Sequence, residues 1–312
     1  MKAAVYTKYG PPEVLQIKDV DTPLPKSNEV RIRIRATAVT GSDVLVRGFM
    51  LEGWIALLGR LALGITGPRH PILGFPLAGE IESVGRDVQR FTVGDAVFGT
   101  TLKMPLRPRL GTYAEYKCLT EDSTLLAKPS NTTFEQAAAI PYGPSIALHY
   151  LRKGGIRADQ NVLVYGASGA IGTAAVQLAC HLGARVTGVC STGNLELVKS
   201  LGAHAVIDYT KADVSDCTER FDLVLDAVPA LKADRRALRE RCRKLLSPGG
   251  RHVDIDDGRP DMGMAALSVV KELVETGTLR PVIDRVYPLD QVVEAHRYVE
   301  TGHKRGNVIL TL

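Results

Sequence analysis

A glycine-rich turn between an apolar strand and an apolar helix constrains the fold of this chain more than any other feature. The segment NVLVYG at 161–166 is a short run of β-branched and apolar residues, and the segment 170–182 has helical spacing. Between them lies the pattern A-x-G-x-x-G over residues 167–172. A strand that turns this tightly into a helix predicts the start of a parallel β–α–β unit.

The alternation of strand and helix continues after this turn. RVTGVC (185–190), HAVIDY (204–209) and FDLVLDAV (221–228) are short apolar runs typical of strands, and NLELVKSLG (194–202) has helical spacing. A long basic amphipathic segment and the strand-like GGRHVDID (249–256) follow. This rhythm predicts an α/β fold, in which a doubly wound parallel sheet carries helices on both faces.

The earlier part of the chain predicts a β-rich domain instead. VRIRIRATA (30–38) alternates apolar and charged side chains with a period of two, as a half-buried antiparallel strand does. The closing NVILTL (307–312) predicts a strand that completes this domain. We therefore expect residues 1–125 and 261–312 to form the β-rich domain and residues 126–260 to form the α/β domain.

Length, charge and cysteine content argue against several classes of protein. A chain of 312 residues favours two domains with a site in the cleft between them. Its net charge of +5 is small and the basic residues are dispersed, which argues against nucleic-acid binding. The 5 cysteines form no CxxC pair, so we expect a cytoplasmic protein without disulfides. The apolar stretch 49–65 contains Glu52 and Arg60 and is too short to span a bilayer, so we expect no stable membrane insertion.

The glycine-rich turn fits a dinucleotide. Gly169 lets the backbone approach a pyrophosphate, Gly172 allows close packing of helix on strand, and the helix N-terminus offers unpaired N–H groups. The candidate cofactor-binding residues of this turn are Gly166, Ala167, Ser168, Gly169, Ala170, Ile171 and Gly172. The alternative is that the glycines only satisfy the sterics of a tight turn.

The end of the second strand of the unit bears on the choice of cofactor. NAD-binding proteins normally have an acidic residue there, which bonds the ribose 2′-hydroxyl. This chain has Cys190, Ser191, Thr192, Gly193 and Asn194. The turn holds no carboxylate that would repel a 2′-phosphate, so NADP(H) is expected, although no arginine occupies the turn. The alternative is an ordinary polar turn that caps the next helix. Further candidate cofactor contacts are Tyr209, Ala227, Val228 and Asn307.

Several other motifs follow one another in a recognisable order. They are KYGPPEVL near the start, AVTGSD (38–43), ILGFPLAGEIESVG (72–85), GDAVFG (94–99), GTYAEY (111–116), AAAIPYG (137–143), YGASGAIG (165–172) and GHKRGNVIL (302–310). In this order the chain resembles the medium-chain dehydrogenase/reductase family over essentially its whole length, and within it the quinone oxidoreductase and enone reductase branch. The resemblance implies a GroES-like first domain, a Rossmann second domain and a homodimer.

The resemblance also implies that the catalytic zinc of the family is missing. Zinc-dependent members carry a cysteine at the position of Thr40 and a His-Glu pair at the positions of Phe75 and Pro76. Phenylalanine and proline side chains offer no donor atom, and threonine is a poor zinc ligand. Zinc stabilises the localised alkoxide formed from a simple ketone, whereas a quinone or an α,β-unsaturated carbonyl delocalises the charge. Substrates of the second kind, small and lipophilic, are therefore expected.

The candidate catalytic residues are Thr40, Asp43 and Tyr142. By the resemblance, Thr40 lies beside the nicotinamide and donates a hydrogen bond to the substrate oxygen, unless its hydroxyl bonds its own turn. Asp43 holds the ribose or orients its neighbours, or is structural. Tyr142 is a candidate proton donor, with a buried interdomain tyrosine as the alternative. Some quinone oxidoreductases have tyrosines where this chain has Leu45 and Leu51, so bulk water is another proton source.

An apolar stripe follows the Asp43 region. Trp54, Leu57, Leu58, Leu61 and Ile65 recur at spacings of three and four and predict a helix. The stripe either packs on the first domain or roofs the substrate cleft as a lid.

The leading hypothesis is an NADPH-dependent, zinc-independent reductase that transfers hydride to a quinone or an α,β-unsaturated carbonyl. One alternative is an NADP(H)-binding redox sensor or scaffold with little turnover. Another is a zinc-lacking alcohol dehydrogenase, against which the missing zinc ligands argue.

Overall fold

The computed structural model describes residues 1–50, 53–102, 110–228 and 235–312, and the side chains of Trp54, Ile55 and Arg235 lie outside the described part. The strands, in chain order, are β1 (Lys2–Val5), β2 (Gln16–Asp19), β3 (Glu29–Val39), β4 (Pro76–Val84), β5 (Ala96–Thr100), β6 (Tyr116–Thr120), β7 (Leu125–Ala127), β8 (Asn161–Tyr165), β9 (Arg185–Cys190), β10 (Ala205–Asp208), β11 (Phe221–Asp226), β12 (Leu246–Asp254), β13 (Ile283–Pro288) and β14 (Asn307–Thr311).

The helices, in the same order, are α1 (Gly41–Gly48), α2 (Gly53–Leu63), α3 (Phe134–Ala138), α4 (Gly143–Lys153), α5 (Ala170–His181), α6 (Leu195–Ser200), α7 (Arg235–Lys244), α8 (Met264–Glu275) and α9 (Val292–Thr301). These elements agree with the strands and helices that the sequence predicts, including the helix at the apolar stripe.

The first sheet is organised around β3. Its strand order is β13-β14-β3-β4-β5-β7, and β6 also pairs with β3. The alternation along β3 buries Val30, Ile32 and Ile34 in one core. Antiparallel pairing sets Ile309 of β14 opposite Ala38 of β3. This pairing confirms the prediction that the closing strand completes the β-rich sheet.

The second sheet is parallel and has the strand order β10-β9-β8-β11-β12. The chain runs from β8 through α5 to β9 on one side, and later returns to the other side of β8 with β11. In sheets of this kind ligands bind beyond the carboxyl ends of the strands, where the order reverses. The structure thus confirms the predicted α/β fold with a doubly wound sheet.

The boundaries between the two domains stay a prediction. α3 lies just after the predicted boundary at residue 125 and packs on β3 and β4 of the first sheet. α8 lies after the predicted boundary at residue 260 and packs on α4. The helices near both boundaries therefore contact the domain on the other side.

A buried charged cluster fixes α1 against α9. The side chain of Arg47 is fully buried, and its guanidinium donates to the Gly10 carbonyl at 3.1 Å. The same group contacts His296 Nδ1 at 3.1 Å and forms an ion pair with Glu300. Burial and the Arg47 charge lower the pKa of His296 to about 3, so its ring is neutral at pH 7. Three partners thus satisfy a charge that would be costly alone.

Within the described ranges, the helices are all too short or too polar to cross a lipid bilayer.

Candidate active site

The glycine turn joins β8 to α5 with very close packing. A Cβ atom added to Gly172 would lie 2.1 Å from the Gly166 carbonyl oxygen, so no larger residue fits there without a shift of the backbone. A Cβ on Gly169 would meet nothing nearer than the same oxygen at 3.6 Å. The space beside Gly169 is therefore open at the N-terminus of α5, which is where a pyrophosphate would be held. This geometry fits the predicted dinucleotide turn.

The turn after β9 contains a buried acceptor without a partner. Asn194 Nδ2 donates to Ser191 Oγ at 3.0 Å and to Ser168 Oγ at 3.2 Å, which ties this turn to the glycine turn. Asn194 Oδ1 is buried and has no hydrogen-bond partner among the described residues. A buried acceptor usually finds a donor, and a ribose hydroxyl is one. Burial raises the pKa of Cys190 to about 11, so it remains a thiol.

A carboxylate from the neighbouring strand lies next to this turn. Asp208, at the end of β10, accepts a hydrogen bond from Thr192 Oγ1 at 2.5 Å. Hydrogen bonds from Thr192 and Thr210 lower the pKa of Asp208, so it is ionised at pH 7. Lys211 Nζ lies 3.9 Å from the same carboxylate. The prediction considered only the residues of the turn itself, and it missed this charge because β9 and β10 become neighbours only in the folded sheet.

The other candidate cofactor contacts lie around the same edge. Tyr209 is nearly half exposed, and its backbone N–H donates to the Cys190 carbonyl at 3.2 Å. Ala227 and Val228 follow β11, and a Cβ on Gly166 would lie 3.0 Å from Val228 Cγ2. Asn307 begins β14, and its amide donates to the Val282 carbonyl at 3.0 Å. Their roles in binding stay predictions.

The end of the chain reaches the glycine turn directly. Gly306 pairs with Gly169 in an isolated parallel bridge, and its N–H donates to the Ser168 carbonyl at 2.8 Å. This contact brings the first sheet, through β14, onto the nucleotide side of the second.

Thr40 and Asp43 form a reciprocal cap at the start of α1. Thr40 donates to Asp43 Oδ2 from its backbone N–H at 2.8 Å and from its hydroxyl at 2.6 Å. The Asp43 N–H returns a bond to Thr40 Oγ1 at 3.2 Å, and the Gly74 N–H donates to Asp43 Oδ1 at 3.0 Å. The hydroxyl proton of Thr40 is thus used within its own turn, which is the structural alternative for this residue.

Asp43 is a fully buried carboxyl group held by donors. Burial raises its pKa from 3.8 to about 6, while the hydrogen bonds from Thr40 and Gly74 oppose that rise. It anchors the corner between β3 and α1 to the segment that precedes β4. Its geometry is that of a positioning group.

Tyr142 lies at the N-terminus of α4 and contacts α1. Its hydroxyl and Ser42 Oγ are 2.7 Å apart, a hydrogen bond in which either can be the donor. A Cβ on the next residue, Gly143, would lie 2.5 Å from the Ala170 carbonyl, so α4 and α5 begin in direct contact. The structure therefore brings Tyr142 together with the α1 corner and the glycine turn. Ser42 was missed because its partner is distant in sequence.

Phe75 and Pro76, which the resemblance sets at the positions of the His-Glu zinc ligands, lie near this corner, because the preceding Gly74 is bonded to Asp43. Phe75 is buried in the first domain, and the Pro76 carbonyl accepts the Thr37 hydroxyl at 2.6 Å. Among the residues that the structure describes, no group of three or more His, Cys, Asp or Glu side chains is arranged to hold a metal ion.

Most of the apolar stripe, on α2 and at Ile65 just after it, faces solvent. The exposed fractions of Leu57, Leu58, Leu61 and Ile65 are 67%, 48%, 54% and 64%. Side chains packed on the first domain would be buried, so the packing alternative does not describe these four. The side chain of Trp54 lies outside the described residues.

Family models match most of the chain. Residues 26–130 match the alcohol dehydrogenase GroES-like domain, and residues 170–256 and 259–310 match two models of the zinc-binding dehydrogenase.

The chain is 33% identical over 323 residues to the 2-methylene-furan-3-one reductase of Solanum lycopersicum, covering 99% of this chain and 79% of that protein. It is 30% identical over 325 residues to the chloroplastic NADPH-dependent alkenal/one oxidoreductase of Arabidopsis thaliana, with the same coverage. The structure of the quinone oxidoreductase from Coxiella burnetii superimposes with a TM-score of 0.83 at 27% identity, covering 100% of this chain and 99% of that one.

Asp43→Asn tests how the buried carboxyl group contributes to stability. The amide nitrogen of asparagine cannot accept from Thr40 or Gly74, so the free energy of unfolding should fall by roughly 1–3 kcal/mol. Burial raises the pKa of Asp43 from 3.8 to about 6 in the folded protein. Protonation of Asp43 therefore stabilises the fold fully below pH 3.8, and this stabilisation is lost as the pH rises through about 6. Urea unfolding should therefore show a larger difference between wild type and variant at pH 4 than at pH 7.

Asp87→Asn, at an exposed aspartate, is the matched control and should leave stability unchanged. A difference between wild type and Asp43→Asn that grows from pH 4 to pH 7 would contradict this account.

Proposed function

The chain belongs to the medium-chain dehydrogenase/reductase family, and on that premise we propose that it is an NADP(H)-dependent oxidoreductase that reduces a quinone or an α,β-unsaturated carbonyl without zinc. The names of its relatives, reductases of furanones and of alkenals and a quinone oxidoreductase, support this substrate class. We further propose a homodimer, on the resemblance alone, and a cytoplasmic location, on the cysteine content.

The observation that carries the proposal is the meeting of three helix N-termini. α5 begins at the glycine turn, α4 begins in contact with it at Gly143, and α1, which begins at Gly41, places Ser42 in a hydrogen bond with Tyr142. We propose that a group bound beside Gly169 extends toward the Ser42 and Tyr142 hydroxyls. That arrangement fits a cofactor and a substrate in one cleft.

The residues around the glycine turn fit NADP(H). The open space beside Gly169 would take the pyrophosphate, and the unpartnered Asn194 Oδ1 would accept from a ribose hydroxyl. NADPH supplies a hydride when it is bound. The chain itself binds and orients the cofactor and the substrate and excludes water from them. It also has to protonate the reduced substrate or admit a water molecule that does so.

The proposal of zinc independence is supported by the chemistry of Thr40, Phe75 and Pro76, whose side chains are poor metal ligands or offer no donor atom. Without a Lewis acid, the substrate has to spread the incoming negative charge itself. A quinone or an enone does so by conjugation. This is why we do not favour a simple alcohol dehydrogenase.

The pair formed by Ser42 and Tyr142 is the better proton donor in this site. The Ser42 and Tyr142 hydroxyls share a hydrogen bond and the phenol also interacts with the Thr40 side chain, and we propose that a substrate oxygen bound here takes its proton from this pair. Burial raises the pKa of Tyr142 to about 12, so its hydroxyl remains protonated at pH 7. The Thr40 proton, by contrast, is already donated to Asp43.

The exposed stripe on α2 supports a lipophilic substrate. Leu57, Leu58 and Leu61 lie a short distance along the chain from Asp43 and leave apolar surface open to solvent. A lid that closes over the cleft would bury this surface against an apolar substrate, with about 0.8 kcal/mol for each buried CH₂. We therefore propose the lid rather than the packing role.

Oxidation of NADPH by a panel of quinones and enones tests the proposed function. We expect turnover that persists after dialysis against a chelator, because no step needs a metal. Absorbance at the dihydronicotinamide band gives the rate. Binding of NADPH without turnover on any substrate would support the redox sensor instead, and loss of the rate with the chelator would refute zinc independence.

Tyr142→Phe tests the proton donor. Removal of the phenol should lower kcat for a quinone roughly a hundredfold, the lower end of the range for a positioned acid, because only Ser42 would remain. NADPH affinity, measured by titration of its fluorescence, should not change. Tyr116→Phe, on β6, is the control and should keep the wild-type rate. An unchanged kcat in Tyr142→Phe would mean that water supplies the proton.

Leu58→Ala tests the lid. The variant should raise KM roughly tenfold or more for a naphthoquinone or a long-chain enone, and less for a small benzoquinone, because the lost carbons would contact the larger substrate. Thermal stability should stay constant because Leu58 is already half exposed. Leu24→Ala, at a side chain 79% exposed, is the matched control. Equal KM changes for both substrates would leave the stripe without this role.

A further inference from the structure

Arg305 is held at the edge of the candidate cofactor site by its backbone. Its N–H donates to Asp284 Oδ2 at 2.8 Å, and the next residue, Gly306, is bonded to Ser168 of the glycine turn. The backbone of this segment is thus fixed on both sides, and the direction in which the Arg305 side chain leaves it is fixed as well.

The guanidinium of Arg305 lies over the turn that follows β9. A Cβ atom added to Gly193 would lie 3.3 Å from Arg305 Nη2, and, apart from Gly193 and its two chain neighbours, no other heavy atom of the described residues lies within 4 Å. The Arg305 guanidinium is therefore the cation that lies next to Gly193. Within the described residues, Arg305 forms a hydrogen bond through its backbone N–H, while its guanidinium takes part in no hydrogen bond or ion pair. The charged group is exposed, and a ligand can reach it.

The turn itself lacks a positive charge. Its polar side chains are Ser191, Thr192 and Asn194, and Thr192 already donates its proton to the Asp208 carboxylate. Ser191 Oγ accepts from Asn194, which leaves its own proton free to donate. An anion bound here would need a cation to offset Asp208, which Lys211 approaches only at 3.9 Å.

In folds of this type the 2′ position of the adenosine ribose lies at the end of the second strand, and a nearby arginine accommodates the 2′-phosphate of NADP. That position is the turn at Ser191. The planar guanidinium matches two phosphate oxygens at once.

From this geometry we propose that Arg305, together with the Ser191 hydroxyl, binds the 2′-phosphate of NADP(H) and sets the preference for it over NAD(H). The inference rests on the proposed use of NADP(H) and identifies the residue of this chain that selects it. The cation comes from the segment that leads into β14, not from the turn, and it reaches the turn because Gly306 is bonded to the glycine turn. Gly193, which has no side chain, leaves room for it.

Calorimetric titration with 2′,5′-ADP and 5′-AMP tests this inference without any turnover. In wild type 2′,5′-ADP should bind more tightly than 5′-AMP. Arg305→Ala should weaken 2′,5′-ADP roughly tenfold to a hundredfold, the range for a hydrogen-bonded charged group, and leave 5′-AMP unchanged. Arg305→Lys should restore part of the affinity, because a point charge remains while the fork is lost. The preference should shrink at high ionic strength.

Arg297→Ala is the matched control, because Arg297 is a half-exposed arginine of α9 that pairs with Glu13. It should bind both nucleotides as wild type does. Equal weakening of both nucleotides in Arg305→Ala would indicate a structural role and overturn the inference, as would no change in either. In those cases NADPH oxidation by wild type would still stand, so the proposed function would survive. If wild type bound 5′-AMP as tightly as 2′,5′-ADP and oxidised only NADH, the cofactor of the proposed function would fail as well.

Discussion

The backbone contact between the glycine turn and Gly306 determines how the two sheets meet. Gly306 has a φ of 73° and a Cβ there would lie 2.4 Å from the Val282 carbonyl, so the contact needs glycine. Its hydrogen bond to Ser168 joins a strand of the first sheet to the turn that opens the second. Because β14 is paired with β3, and β3 leads into α1, the candidate catalytic corner and the nucleotide turn are fixed relative to each other through backbone.

Buried charges make the α1 corner rigid. Asp43, in the first turn of this helix, accepts hydrogen bonds from the backbone N–H groups of Thr40 and Gly74. Arg47, near the end of the helix, is held by Gly10, His296 and Glu300. Each charge would be expensive to bury alone, and each has several donors or acceptors in fixed positions. The cost of moving α1 therefore includes breaking these bonds, which suits an element that presents Ser42 to the site.

The elements that are determined by residues adjacent in the sequence could be predicted from the sequence. The strand, turn and helix around Gly169 follow from local sterics, and the alternation in β3 follows from its period of two. Ser42, Asp208 and Arg305 escaped because each acts through a partner that is remote in the chain. The helix α2 could be predicted for the same local reason, from the spacing of its apolar residues. What packs against its apolar face could not be predicted, because the spacing of residues within a helix does not determine its neighbours in the fold.

The position of β14 in the chain also determines when the site can form during synthesis. β3 emerges early, and its edge beside Ala36–Val39 has no partner until residues 307–311 have been made. An exposed strand edge of this kind is open to wrong pairing, and contacts over such a long separation are slow to form. The same late segment carries the residues that reach the glycine turn. A growing chain therefore closes its first sheet and completes the wall of its nucleotide cleft in a single late step.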